Sequence, residues 1–294
     1  MLVVLLALLA AAGNALASVL QRQGALRAAG SHFVARLVRQ PVWLAGILSL
    51  ICGFALQAAA LAGGDLIVVQ PILVTELPLS LLAAAAVTGL RPGPRDWGAT
   101  LEMGVGLGLV LAAAAPSGGH HDASSLRWAL AVACTVGLVG ALAALSRPWA
   151  GAARAALLGA GSGVSFGLSA ALLDTAASRG EQGVASLFGS WQLYAMVVAG
   201  AGGLYLLQHA FTSGPFMAAQ PPATVVDPLT SVGYGILLFG EHMRGGPYLV
   251  PELVGAALVA HGAIALSRSA LLSPRPPGGR ATGDPGPRPR RGGR

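Results

Sequence analysis

The stretch "LIVVQPILVTELPLSLLAAAAVTGL", residues 66–90, decides how this chain folds. It is long and apolar enough to cross about 30 Å of hydrocarbon as a helix. Yet it carries Gln70, Pro71, Glu76 and Pro78. Each proline removes an intrahelical hydrogen bond and frees carbonyls. A carboxylate at mid-depth costs about 3 kcal/mol unless it faces a cavity or a partner. Such a segment belongs inside a bundle of spans, where neighbouring helices meet these demands.

The composition agrees. Hydrophobic residues make up 54% of the 294 and charged residues only 10%, whereas a water-soluble protein carries about a quarter. Mean hydropathy is +0.69. These values point to an all-α polytopic membrane protein. The net charge of +7 comes from eighteen Arg and no Lys. The Arg residues lie in loops and the tail, so they read as topology signals, and no nucleic-acid partner is expected. Cys52 and Cys134 lie in apolar runs and read as packing residues. The first span ends near an A-x-A tripeptide, Ala15-Leu16-Ala17, but lacks the basic flank of a signal peptide.

Nine apolar windows can span: 1–20, 41–62, 66–90, 97–115, 126–146, 154–175, 186–208, 213–240 and 247–267. With the loop after the first span in the cytoplasm, fifteen Arg fall inside and only Arg127, Arg179 and Arg244 outside. The expectation is a multi-pass plasma-membrane protein with its N-terminus outside and C-terminus cytoplasmic. The tail is almost wholly Pro, Gly and Arg and is expected to be disordered.

A second segment, "FMAAQPPATVVDPLTSVGYGILLFGE", residues 216–241, repeats the first. At an offset of 150, Gln70-Pro71 matches Gln220-Pro221 and Pro78-Leu79 matches Pro228-Leu229. Residues 53–80 share eight identities in 28 with 203–230, and Glu102 pairs with Glu252. Spans 1–4 then match spans 6–9, and span 5 stands between without a mate. An odd unit inverts the second copy. The division is a first repeat over 1–125, span 5 and its connector over 126–150, a second repeat over 151–270 and the tail over 271–294. This is an inverted repeat of a five-span unit with the last span missing. Secondary transporters use inverted repeats, with sites at the midplane where helices are interrupted. Pro71, Pro78, Pro221 and Pro228 are the expected helix breaks.

"GNALASVLQRQGAL", "GFALQAAALAGGDLIVVQPILVTELPL" and residues 190–241 resemble the drug/metabolite transporter (DMT) superfamily. More locally they resemble the actinobacterial DMT-type integral membrane proteins, which are similar to the NIPA-like magnesium transporters. The resemblance covers most of residues 1–270 and implies a nine-span fold and transport. The superfamily plan has ten spans, so the last is missing here.

Glu76 is the leading site candidate, a carboxylate suited to exchanging a proton against a solute; the bland alternative is a neutral carboxyl bonded to a freed carbonyl. Asp227 is its near-symmetric mate, slipped by one residue or about 100° on an ideal helix, and could instead cap a half-helix. Gln70, Gln220, Asn14, Gln57 and Gln192 complete the expected substrate or coupling-ion set. Asn14, Ser18 and Gln21 form one polar stripe; Ser162, Ser165 and Ser169 form another, read as helix packing. Glu102 and Glu252 read as first-turn carboxylates favoured by the helix dipole. The loop cluster His120, His121 and Asp122 is too thin for a metal site.

The expected function is a secondary transporter moving a small solute by alternating access, coupled to protons or an ion. A magnesium transporter is the alternative within that class, and a membrane scaffold subunit lies outside it. No catalytic cluster, ATP-binding pattern or cofactor motif is evident, so no enzyme, cofactor or metal site is expected. The partners are a small molecule or ion and membrane lipid, and a homodimer is compatible with the plan.

Overall fold

A computed structural model describes residues 2–30, 32–63, 72–73, 75–88, 92–114, 123–241 and 246–267. Among these the chain is helical, with no strand. The first four helices are α1 (Leu2–Ala28), α2 (Phe33–Leu37), α3 (Pro41–Gly63) and α4 (Glu76–Thr88). Then come α5 (Pro94–Ala114), α6 (Ser125–Ser146), α7 (Gly151–Glu181) and α8 (Val184–Gly189). The chain continues with α9 (Trp191–Ser213), α10 (Phe216–Phe239), a 3₁₀ turn (Gly246–Tyr248) and α11 (Leu249–Ser267). Five of these, α1, α6, α7, α9 and α10, are long and apolar enough to cross a membrane. Shorter apolar segments occupy Pro41–Gln57 and Glu76–Val87.

The distribution of side chains is that of a protein in lipid. Leu126, Leu130, Val136 and Leu145 of α6 are all exposed, while α1 buries Ala7, Ala10, Ala11, Ala15 and Ala17. Lipid tails are as apolar as leucine, so burying large side chains gains little; small residues instead let backbones approach.

Small residues set the helix pairs. α1 runs antiparallel to α3: Gly13 meets Gly53, and Gly24 meets Trp43. Ser49 Oγ donates to the Gly13 carbonyl at 2.8 Å. α9 runs antiparallel to α7, where Ser162 Oγ donates to the Gly203 carbonyl at 2.8 Å and Ser169 Oγ to that of Met196 at 3.1 Å. α7 and α10 run parallel. A Cβ added at Gly159, Gly163 or Gly167 would lie 2.3, 2.7 or 3.0 Å from the carbonyls of Ala219, Ala223 and Asp227. Glycines every four residues thus seat α10 backbone-to-backbone on α7. α5 packs chiefly along α11, with Gly106 and Gly255 each against the other's carbonyl. α1 packs chiefly on α3 and less on α4 and α9, while α7 packs chiefly on α9 and α10 and less on α6.

Two features differ from the sequence reading. α10 runs unbroken through Pro221, Pro222 and Pro228. The prolines delete three N–H donors, but the close seat on α7 holds the helix together, as neighbouring helices do elsewhere in membranes. In the first half Thr75 forms a turn just before α4, in which its N–H and hydroxyl both donate to the Ile72 carbonyl. α4 starts afresh at Glu76, so Pro78 lies in a first turn, where no intrahelical donor is missed. Glycine ends α10: Gly240 adopts φ 69°, and the Glu241 N–H returns to the Gly235 carbonyl.

Glu252 does lie in the first turn of α11. Glu102 does not lie in that of α5, which begins at Pro94; it pairs with His261 of α11 at 2.7 Å. Gln70, Pro71, residues 120–122 and the tail lie outside the described residues.

Candidate functional site

The segment quoted at the outset delivers Glu76 to the first position of α4. Restarting the helix there points its carboxylate at α1 and α10. The Asn14 amide of α1 lies beside the carboxylate. Gln220 of α10 donates its Nε2 to Glu76 Oε1 at 3.4 Å and to Thr224 Oγ1 at 3.1 Å. Glu76 and Asn14 are half-buried, and Gln220 is buried. Asn14 Oδ1 and Gln220 Oε1 are buried with no hydrogen-bond partner, the former against Gly53 of α3.

Asp227 lies two turns beyond Gln220 on α10 and is also half-buried. Ser231 Oγ donates to its carbonyl at 3.0 Å and to its Oδ1 at 3.5 Å. Asp227 and Glu76 are near enough for their charges to act on each other. Because α10 is continuous, Asp227 caps no half-helix. No cationic side chain pairs with either carboxylate among the described residues. The cluster can therefore take a cation, a proton or a solute rich in hydrogen-bond donors.

Of the remaining candidates, Gln192 is buried in the first turn of α9 and Gln57 is half-buried on α3. No hydrogen bond joins either to Glu76 among the described residues. The three serines of α7 act as expected in packing: Ser165 Oγ donates to the Gly161 carbonyl at 3.1 Å, and Ser162 and Ser169 bond across to α9. No group of three or more His, Cys, Asp or Glu that could hold a metal occurs among the described residues.

Sequence reading missed a second polar contact. Gln208 of α9 donates its Nε2 to Gln21 Oε1 of α1 at 3.0 Å, both side chains buried. Gln21 was visible as the end of the Asn14 stripe; Gln208 lay at the edge of its apolar window with nothing to set it apart. Thr224 was likewise invisible until Gln220 was placed. Thr135 of α6 and Tyr234 of α10 share a further buried hydrogen bond.

No family model and no solved structure matches the chain. An uncharacterized protein of Corynebacterium glutamicum is 28% identical over 207 residues, covering 69% of this chain and 71% of that protein.

Proposed function

We propose that the chain is a secondary transporter, with Glu76, Asp227, Asn14 and Gln220 forming its solute or coupling-ion site. The observation that carries this reading is Glu76 itself: an unpaired carboxylate held between α1 of one half and α10 of the other. A carboxylate kept in lipid without a cation is costly, and a helix-packing role needs no ionisable group.

The nine-span inverted plan is part of the same proposal. The pairing of α1 with α3 and α4 recurs 150 residues later as α7 with α9 and α10. The parallel run of α7 and α10 suits spans of like direction. Glu76 then lies where the two halves meet, as alternating access around a fixed midplane site requires. The Arg bias sets the N-terminus outside the plasma membrane and the C-terminus in the cytoplasm. The resemblance to DMT-type carriers agrees with this plan. Two carboxylates give few hard oxygens for a magnesium ion, so an organic solute with donor groups fits better.

Proton release from reconstituted protein, on addition of a panel of amino acids, amines and Mg²⁺, tests the reading. A ligand-dependent release in wild type that Glu76→Gln abolishes is expected. Ligand-driven uptake or release equal in wild type and Glu76→Gln would overturn the role given to this carboxylate.

A further inference from the structure

Arg22 is an arginine whose setting a topology signal does not explain. It lies on α1 two turns beyond Asn14, toward the end where α10 begins. Its guanidinium carbon sits 5.8 Å from the centre of the Phe216 ring. Its Nε is buried and bonded to nothing. No carboxylate pairs with it among the described residues.

The guanidinium borders a cavity of about 40 Å³ lined by Leu81, Ala84, Ala85, Pro92, Phe216 and Met217. That is room for about three waters or one small charged group. Every other lining side chain is apolar. Phe216 and Met217 open α10, whose N-cap is Pro215, with no side-chain cap and no acidic residue in the first turn. The N-terminal end of α10, where only the Ala218 N–H is held by the Pro215 carbonyl, therefore borders the same space as Arg22.

We propose that this cavity is an anion site, taking a carboxylate or phosphate group on Arg22 and the N-terminus of α10. Arg22 is half-buried, but its Nε lies buried with no acceptor, which is costly, and a bidentate oxyanion matches the donor fork of arginine. In the orientation proposed above the site is the cytoplasmic mouth of the bundle, about 12 Å along α1 from Asn14. That separation makes it a station distinct from the Glu76 cluster. The anion is either a group on a soluble solute or the phosphate of an anionic lipid; both present the same oxygens.

The test reads binding, so it stands apart from any outcome on transport. The purified full-length chain, in non-ionic detergent free of anionic lipid, is treated with phenylglyoxal, and modification of each arginine is followed by mass spectrometry. Phosphate and acetate, at constant ionic strength, are expected to protect Arg22 saturably and to leave exposed Arg154 unprotected. The same anions should raise Tm in wild type; Arg22→Gln should weaken that response about tenfold or more, and Arg22→Lys should keep part of it. In nanodiscs, protection by phosphatidylglycerol over phosphatidylcholine alone identifies a headgroup; protection only by soluble anions identifies a solute. Arg22 modified at one rate in every arm overturns the site, and this wild-type readout holds even if the variants misfold.

Discussion

Replacing Gly163 by alanine is the sharpest probe of how α10 is held. The added Cβ would lie 2.7 Å from the Ala223 carbonyl oxygen, 2.9 Å from the Asp227 nitrogen and 2.9 Å from Val226 Cβ. Ordinary contact begins near 3.4 Å. Two of the three contacts are backbone atoms, which cannot swing aside, so α7 and α10 must part by about half an ångström or more. Overpacking of this kind costs about 1–3 kcal/mol. Alanine also favours helix by about 0.4–1 kcal/mol, so the control must gain the same term. Gly137→Ala on α6 does so, since nothing lies within 4 Å of its would-be Cβ. At about 2–4 °C per kcal/mol, Gly163→Ala should unfold about 2–12 °C below Gly137→Ala in detergent, followed by tryptophan fluorescence. Because the clash falls on the Asp227 nitrogen, solute-dependent proton release should also drop. Equal melting of the two variants would refute the backbone-on-glycine seat.

Three further outcomes follow from other contacts. Gly53→Ala puts a Cβ 2.3 Å from Asn14 Oδ1; a side chain can rotate away, so melting should shift little while ligand binding at Glu76 falls, read by titration of the purified protein. A double-mutant cycle on Thr135→Val and Tyr234→Phe should give a coupling of about 0.6–1.5 kcal/mol between α6 and α10, and a zero coupling in thermal unfolding would remove that bond from the ledger. Arg127→Gln should lower Tm by a degree or two, because Arg127 Nη1 donates to the Leu238 carbonyl at 3.2 Å and so caps the C-terminus of α10; no change would make it a topology residue alone.

The sequence made the helical class, the paired Gln-Pro segments and the Asn14 stripe legible, because rare polar residues stand out in an apolar chain. The helix faces were harder. A helix apolar all round has no periodicity to show which side meets protein, so Gln57 and Gln192 stayed in the expected set beside Gln220, and packing separated them. Proline misled in both directions. Pro221 and Pro228 stand inside a continuous helix, since α7 supplies the support that local rules leave out. Pro78 lies in the first turn of α4, where it breaks nothing. Glu102 was misplaced by a start taken at 97 when Pro94 already nucleates α5. Arg22 was counted with the loop charges, and its apolar surroundings come from residues far apart in the chain.

The pairing of α5 with α11 has a consequence for how the protein is made. About 135 residues separate Ala114 from Leu249. At about 5–20 residues per second, the ribosome completes α5 some 7–27 s before its partner starts to emerge. Throughout that interval the Gly106 face has no backbone to seat on, and Glu102 has no His261. Insertion therefore passes through a waiting state, in which α5 is sheltered by the insertion machinery or by lipid until α11 arrives to pair with it.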